Sequence, residues 1–211
     1  MAALRVPRYH YECDGIRDSG WGCCYRCGQM LIGAAGLRVP SLPRMMALCG
    51  TLEAYKAGRT GRPLWIEPPD VARCARRAAA GPRWSVREWL LLPGGGGDRA
   101  ADGHMLRHRP AHYREGPRAA ARRRRLFGDP GRARRRVARH LREQGTPVVV
   151  DNGTSAYLLV RIAGGRVHCL DPHVTDPSRM ERSWDERAFW SGHPLWMMAT
   201  LVRRRRRRRR A

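Results

Sequence analysis

The chain has 211 residues with 42 basic against 18 acidic side chains, a formal net charge of +24. That length suits one domain with a core large enough to need no disulfide staples, and seven irregularly spaced cysteines read as free thiols in a reducing compartment. No apolar run approaches the roughly 18 residues that span a bilayer and Met1–Pro7 has no secretory core, so neither a membrane protein nor a secreted one is expected.

The charge is concentrated. Residues 107–142 carry fourteen arginines against Glu115 and Asp129 and account for +12, and Arg203–Arg210 add +8, which leaves +4 for everything else. Lys56 is the single lysine, and Arg, Ala, Gly and Pro share GC-rich codons, so base composition explains part of the excess. A nucleic-acid-binding module lines a folded face with its basic residues. Here nucleic acid could be met only through Arg122–Arg125 and Arg203–Arg210, which read more simply as solvated runs or a nuclear-targeting signal.

In chain order, Cys23–Ala35 has Tyr25, Gln29, Leu31, Ile32 and Ala35 at helical spacing, with Gly36 as C-cap. Met45–Ala57 and Val71–Ala80 read as further helices, the second opened by Pro68-Pro69 with Asp70 as N-cap. Gly94–Gly97 begin an Arg/Ala/Gly/Pro-rich stretch to residue 144 that reads as an insertion, apart from a helical pattern over Arg132–Glu143. Val148–Val150 is a buried-strand run. Tyr157–Ile162 and Arg166–Leu170 form a hairpin about Ala163-Gly164-Gly165. The aromatics of Trp184–Val202 complete the core. Helices followed by antiparallel strands predict an α+β fold: one domain over 1–202, interrupted at 94–144 and followed by a poly-Arg tail, 203–211.

The chemistry concentrates in Asp18-Ser-Gly-Trp-Gly-Cys23-Cys24-Tyr25-Arg26. A thiol at a helix N-terminus feels the positive end of the macrodipole, which favours thiolate. Gly20 and Gly22 let backbone approach a bound chain and free amide hydrogens beside Cys23 for an oxyanion. Those features suit a nucleophile; two small buried thiols opening a helix would produce the same letters. Asp171-Pro172-His173 ends a predicted strand, where His173 can face the thiol and Asp171 can orient its ring; a plain turn with a solvated histidine fits the tripeptide too. Cys24-x-x-Cys27 supplies two of the four ligands of a structural zinc site and has no second pair, so no metal or cofactor is expected.

Arg8-Tyr-His-Tyr-Glu-Cys-Asp-Gly15, Asp18-x-Gly-Trp-Gly-Cys-x-Tyr-Arg26, Gln29, Trp65-Ile66, Gly145-Thr-Pro-Val-Val149 and Leu170-Asp-Pro-His173 together resemble the peptidases specific for the ubiquitin-fold modifier, in their short form. The likeness runs over residues 8–93 and 145–201. It implies a papain-like cysteine peptidase fold, helices packed on an antiparallel sheet with the nucleophile at a helix N-terminus. It also implies cleavage after the C-terminal glycine of a ubiquitin-like modifier, in precursor maturation or deconjugation, by a cytoplasmic monomer whose partners are the modifier and its conjugates. Carried over, Cys23 is the nucleophile, His173 the general base, Asp171 its orienting partner and Tyr11 an oxyanion donor. Trp21 walls the channel for a glycine tail, flanked by Gly20 and Gly22, while Tyr9 and Cys24 are packing residues.

Arg26-Cys-Gly-Gln-Met-Leu31, Pro68-x-x-Val-Ala72 and Leu170-Asp-Pro-His-x-Thr175 are also similar to the autophagy cysteine peptidases, which process another ubiquitin-like modifier. The tyrosine-rich opening and the short chain favour the first family. An inactive modifier-binding relative and an Arg-mediated nucleic-acid binder are the readings from other classes. The chain departs from the first family at Glu67, where glycine usually follows Trp-Ile, and at Asp151-Asn152, which replace glycines. Both departures bear on substrate choice.

Overall fold

The structure is a computed structural model that describes residues 5–59, 61–78, 84–91, 125–193 and 196–203. Helices α1 (Cys23–Ala34), α2 (Leu42–Cys49), α3 (Leu52–Lys56) and α4 (Pro68–Ala78) come first. Strands β1 (Trp84–Leu91) and β2 (Arg125–Phe127) precede helix α5 (Pro130–Gln144). Strands β3 (Val148–Asp151), β4 (Ala156–Ala163), β5 (Arg166–Leu170) and β6 (Glu181–Asp185) follow. Helix α6 (Glu186–Ser191) and strand β7 (Trp196–Arg203) close the described chain. The strands form one sheet in the order β2-β1-β7-β3-β4-β5-β6. Pairing is antiparallel throughout except at the edge, where β2 lies parallel to β1.

Both faces of the sheet are covered. Along β3, strand alternation sends Val149 to the core under α1, α2 and α4, and Val148 and Val150 to the core under α5 and α6. The first core holds Met30, Leu31, Leu42, Met45, Val71, Leu158 and Leu201; the second holds Trp89, Phe127, Val137, Val167, Trp190 and Trp196. The expected α+β arrangement on a papain-like plan is present, with helices on both sides.

The predicted hairpin turns at Gly164 and Gly165, whose φ of 58° and 69° match the left-handed pair that a two-residue turn requires. The single helix expected over Met45–Ala57 is two helices. Gly50 adopts φ 77° as a left-handed C-cap of α2, and the Thr51 hydroxyl donates to Met46 O at 3.3 Å, so the chain turns before α3 begins. Helix α4 begins at Pro68 rather than Val71, because proline at the first positions costs no intrahelical bond. Asp70 therefore sits inside the first turn, where its Oδ2 accepts from Glu67 N at 3.1 Å; residues 79 and 80 lie outside the described residues.

Several elements went unanticipated: β1 and β2, and towards the end of the chain β6, α6 and β7. Trp84–Leu91 is a strand paired along its whole length with β7. The C-terminal part of the stretch read as an insertion is integral: β2 brings Phe127 into the second core and α5 adds Ala133 and Val137. Asp129 caps α5, accepting from Gly131 N at 2.8 Å and Arg132 N at 3.0 Å, with Pro130 at the first position and Gly145 as left-handed C-cap. The rest of the Arg-rich stretch and the tail beyond Arg203 lie outside the described residues.

Candidate active site

Cys23 is the first residue of α1, with Gly22 as N-cap. Behind it the helix is anchored by a buried charge cluster. Arg26, fully buried, donates from Nε to Asp18 Oδ2 at 2.7 Å and from NH1 and NH2 to the Asp14 carboxylate at 2.9 and 2.7 Å. Burial disfavours the charged guanidinium, but the bonds to Asp14 and Asp18 outweigh it and hold Arg26 protonated. Asp18 also accepts from Glu12 N at 2.8 Å, so one carboxylate ties the Tyr11–Glu12 segment to helix α1.

His173 reaches the same place from the loop after β5. Its Nδ1 donates to Asp171 Oδ1 at 2.6 Å and its backbone N–H to the same oxygen at 3.0 Å. Arg182 Nε stands 3.5 Å from the other oxygen, Asp171 Oδ2. Burial raises the Asp171 carboxyl, yet the bonds from His173 hold it below its ordinary value. For His173 burial works downward, and Asp171 together with the adjacent Cys23 thiol overcomes it, raising the imidazole to about 9. The ring is thus cationic at neutral pH and paired with the thiol on one side and the carboxylate on the other.

Tyr11 is strapped to the histidine loop, its N–H donating to Pro172 O at 2.9 Å and its ring meeting that of His173 edge-on at 5.4 Å. Burial, and the Cys23 thiol beside it, push the phenol well above its ordinary value. Tyr11 is therefore a fixed hydrogen-bond donor, as an oxyanion partner must be.

These residues surround a space of about 120 Å³ lined by Tyr11, Gly20, Trp21, Cys23, Cys24, Trp65, Ile66, Asp151, Gly153, Thr154, Ser155 and His173. Trp21 is buried against Tyr25 and Tyr55, and Trp65 Nε1 donates to Gly20 O at 3.1 Å. The two indoles wall the slot. Gly20 lines it with φ +85°, whereas Gly22 lies outside the lining and serves the scaffold: a Cβ there would come 2.1 Å from Asp18 Oδ2. Cys24 borders the slot but is buried, and burial followed by Asp151 raises its thiol well above the ordinary value. Tyr9 packs against the first core.

The structure thus gathers Cys23, His173, Asp171, Tyr11, Trp21 and Gly20, from segments up to 162 positions apart. Sequence reasoning missed Trp65, Arg182 and Asp151 as parts of the site. Asp151 carries a readable signal, because alternation from Val149 places it on the α1 face. Among the described residues no group of three or more His, Cys, Asp or Glu side chains is placed to hold a metal.

No known family profile matches the chain. It is 35% identical over 103 residues to Ufm1-specific protease 1 of Mus musculus, a match covering 47% of this chain and 46% of the mouse protein. The matched stretch thus spans less than half of that relative. The crystal structure of UfSP from C. elegans aligns over 96% of this chain and 34% of that one, with a TM-score of 0.60 and 20% identity. A double-glycine-motif protease from an AMS/PCAT transporter, solved in complex with the leader peptide, aligns over 96% of this chain and 94% of its own, with a TM-score of 0.51 and 12% identity. The resemblance to Ufm1-specific proteases and the papain-like cysteine peptidase fold are borne out.

Proposed function

We propose that the chain is a thiol peptidase that cleaves after the C-terminal glycine of the ubiquitin-fold modifier, in precursor maturation, deconjugation or both. The observation that carries this is the convergence on Cys23, at the start of α1, of an imidazole clamped to Asp171 and a protonated Tyr11. The sequence match to the mouse Ufm1-specific protease supports the choice of modifier.

The geometry suits acyl transfer. Cys23 sulfur attacks the glycine carbonyl, and the Tyr11 hydroxyl with the Cys23 amide receives the oxyanion. Cationic His173 gives its proton to the departing amine, so that the bond to the leaving group breaks without expelling an amide anion. Neutral His173 then takes a proton from water as the water oxygen attacks the thioester carbonyl; the C–S bond breaks, the glycine leaves as its carboxylic acid, and the thiolate–imidazolium pair is restored. Asp171 holds the ring tautomer throughout.

Ufm1 extended at its C-terminal glycine by a fluorescent peptide tests the reading. The intact protein releases the peptide and Cys23→Ala does not. Ufm1 ending in an electrophile forms an adduct at Cys23 only. Undiminished release by Cys23→Ala, or no release by the folded intact protein, overturns the proposal.

A further inference from the structure

Tyr157 sits near the start of β4, paired with Val150, and packs half-buried against the second core. It nevertheless reaches the active site. Its ring centroid stands 5.4 Å from that of His173, with the two planes inclined at 57°, and Tyr11 stands at the same distance with an inclination of 85°. The imidazole therefore has two aromatic neighbours, one from the N-terminal segment and one from the sheet.

Tyr157 is itself held in place. Trp184 of β6 meets it at 5.3 Å and 67°, Phe189 of α6 meets Trp184 at 5.7 Å, and Phe189 stacks on Trp196 of β7 at 4.3 Å. Burial is the main cause that raises its phenol, and a hydrogen bond with the Ser155 side chain opposes the rise.

The reaction asks more of His173 than its bond to Asp171 supplies. That bond fixes Nδ1, so both proton transfers fall to Nε2. Nε2 faces the thiol, the leaving amine and the attacking water in turn, and no partner that changes can hold the ring steady. The χ2 torsion of a histidine is broad, and a reacting group stays aligned only where packing narrows its rotamer. Tyr11 supplies one such contact but has the oxyanion to serve as well. Tyr157 is the aromatic neighbour with no other task in the reaction.

We propose that Tyr157 is a positioning residue that holds the plane of the His173 imidazole for its two proton transfers, so that the second core braces the active site through a single ring. The inference rests on the peptidase reading above. The ring carries the effect and the hydroxyl does not.

Tyr157→Phe keeps the ring and Tyr157→Leu removes it; Tyr157→Met, long but without a flat face, takes its place if Tyr157→Leu does not fold. Two quantities are measured for each. One is kcat and KM on Ufm1 carrying the fluorescent peptide. The other is the rate at which iodoacetamide alkylates Cys23 at about pH 6, where a thiolate paired with an imidazolium reacts and an ordinary thiol hardly does, with exposed Cys13 as the reference in the same chain. Tyr157→Phe is expected to stay within about twofold of the intact protein in both. Tyr157→Leu is expected to lower kcat roughly ten- to hundredfold with KM within about twofold, and to slow Cys23 alkylation severalfold relative to Cys13. A kcat within twofold for Tyr157→Leu, a loss in Tyr157→Phe equal to that in Tyr157→Leu, or a loss that falls on KM alone overturns the inference and leaves the peptidase reading standing. If the intact protein releases no peptide, the peptidase reading falls, and equal alkylation of Cys23 in the intact protein and Tyr157→Leu then overturns the positioning role separately.

Discussion

On the α1 face of the sheet the largest buried polar side chain is a cation held between two carboxylates, Arg26 with Asp14 and Asp18. On the α5 face it is a histidine kept neutral: His140 Nε2 lies 3.0 Å from Thr146 Oγ1 and 3.2 Å from Thr200 Oγ1, and burial, with Arg87 and Arg136, lowers it to about 4. The difference follows from what each face must do. The α1 face must fix Tyr11, Cys23 and Gly22 relative to one another, and Asp18 does so by bonding to segments on both sides of Arg26's helix start. The α5 face closes a core, so Arg132, Arg135, Arg139 and Arg142 of α5 are exposed and the buried His140 carries no charge.

Breaking the charged cluster has the largest expected effect. Arg26→Ala leaves two carboxylates, one of them fully buried, without a cation and costs about 3–5 kcal/mol in urea unfolding, with loss of peptidase activity. Arg26→Lys recovers little, because an ammonium cannot reach both carboxylates as a guanidinium does.

The two faces also oppose each other in pH. His140, lowered from 6.5 to about 4, contributes stability at neutral pH that is lost as pH falls from 6.5 towards 4. Asp151, raised from 3.8 to about 7, works in the reverse sense: stability is lost as pH rises from 3.8 towards 7. Each amounts to something on the order of 3 kcal/mol, so the intact protein should show a nearly flat unfolding free energy from pH 4.5 to 6.5. Asp151→Asn then uncovers a slope that rises with pH, and His140→Gln one that falls.

His173 stands beside Tyr11 and Cys23 in the slot. Its contribution, from a value raised to about 9, is complete below pH 6.5 and lost as pH climbs through 9. Asp171→Asn should bring the alkaline limit of the kcat profile down towards neutrality; an unmoved limit would separate that limb from His173.

Two small changes sharpen the contrast. Gly22→Ala forces a Cβ into Asp18 and costs about 1–3 kcal/mol together with activity. Gly145→Ala, at φ 62° on the far face, costs about 1 kcal/mol in stability and leaves kcat/KM intact. Smallest of all, Arg135, Arg139 and Arg142 changed to Gln should shift stability by less than about 0.5 kcal/mol, because these side chains are exposed.

Much of the site was legible because its residues announce local geometry: Gly-Trp-Gly before a cysteine opening a helix, and Asp-Pro-His leaving a strand. What escaped was long-range or masked. Strand β1 has charges at Arg87 and Glu88 that interrupt its apolar pattern, and its partner β7 lies more than a hundred residues away. Strand β2 carries the composition of the arginine-rich stretch that precedes it, so Phe127 was hidden in it, whereas the helical pattern over Arg132–Glu143 was readable. Gly50 divided a helix that apolar spacing alone would have carried through. Asp151 stood out in the sequence only as a departure from the resembling family's glycines, and the register of β3 places it on the α1 face, where it lines the slot.

Strand β7 lies in the middle of the sheet, between β1 and β3, although it is the last of the described strands to be synthesised. On a ribosome adding about 5–20 residues per second, roughly 8–30 seconds separate the appearance of Cys23 from that of His173. Even then β1 and β3 wait for the strand that joins them. On the peptidase reading proposed above, a chain assembled in that order has no complete site while it is being made, so the growing polypeptide and its neighbours on the polysome are spared until the last described strand slots in.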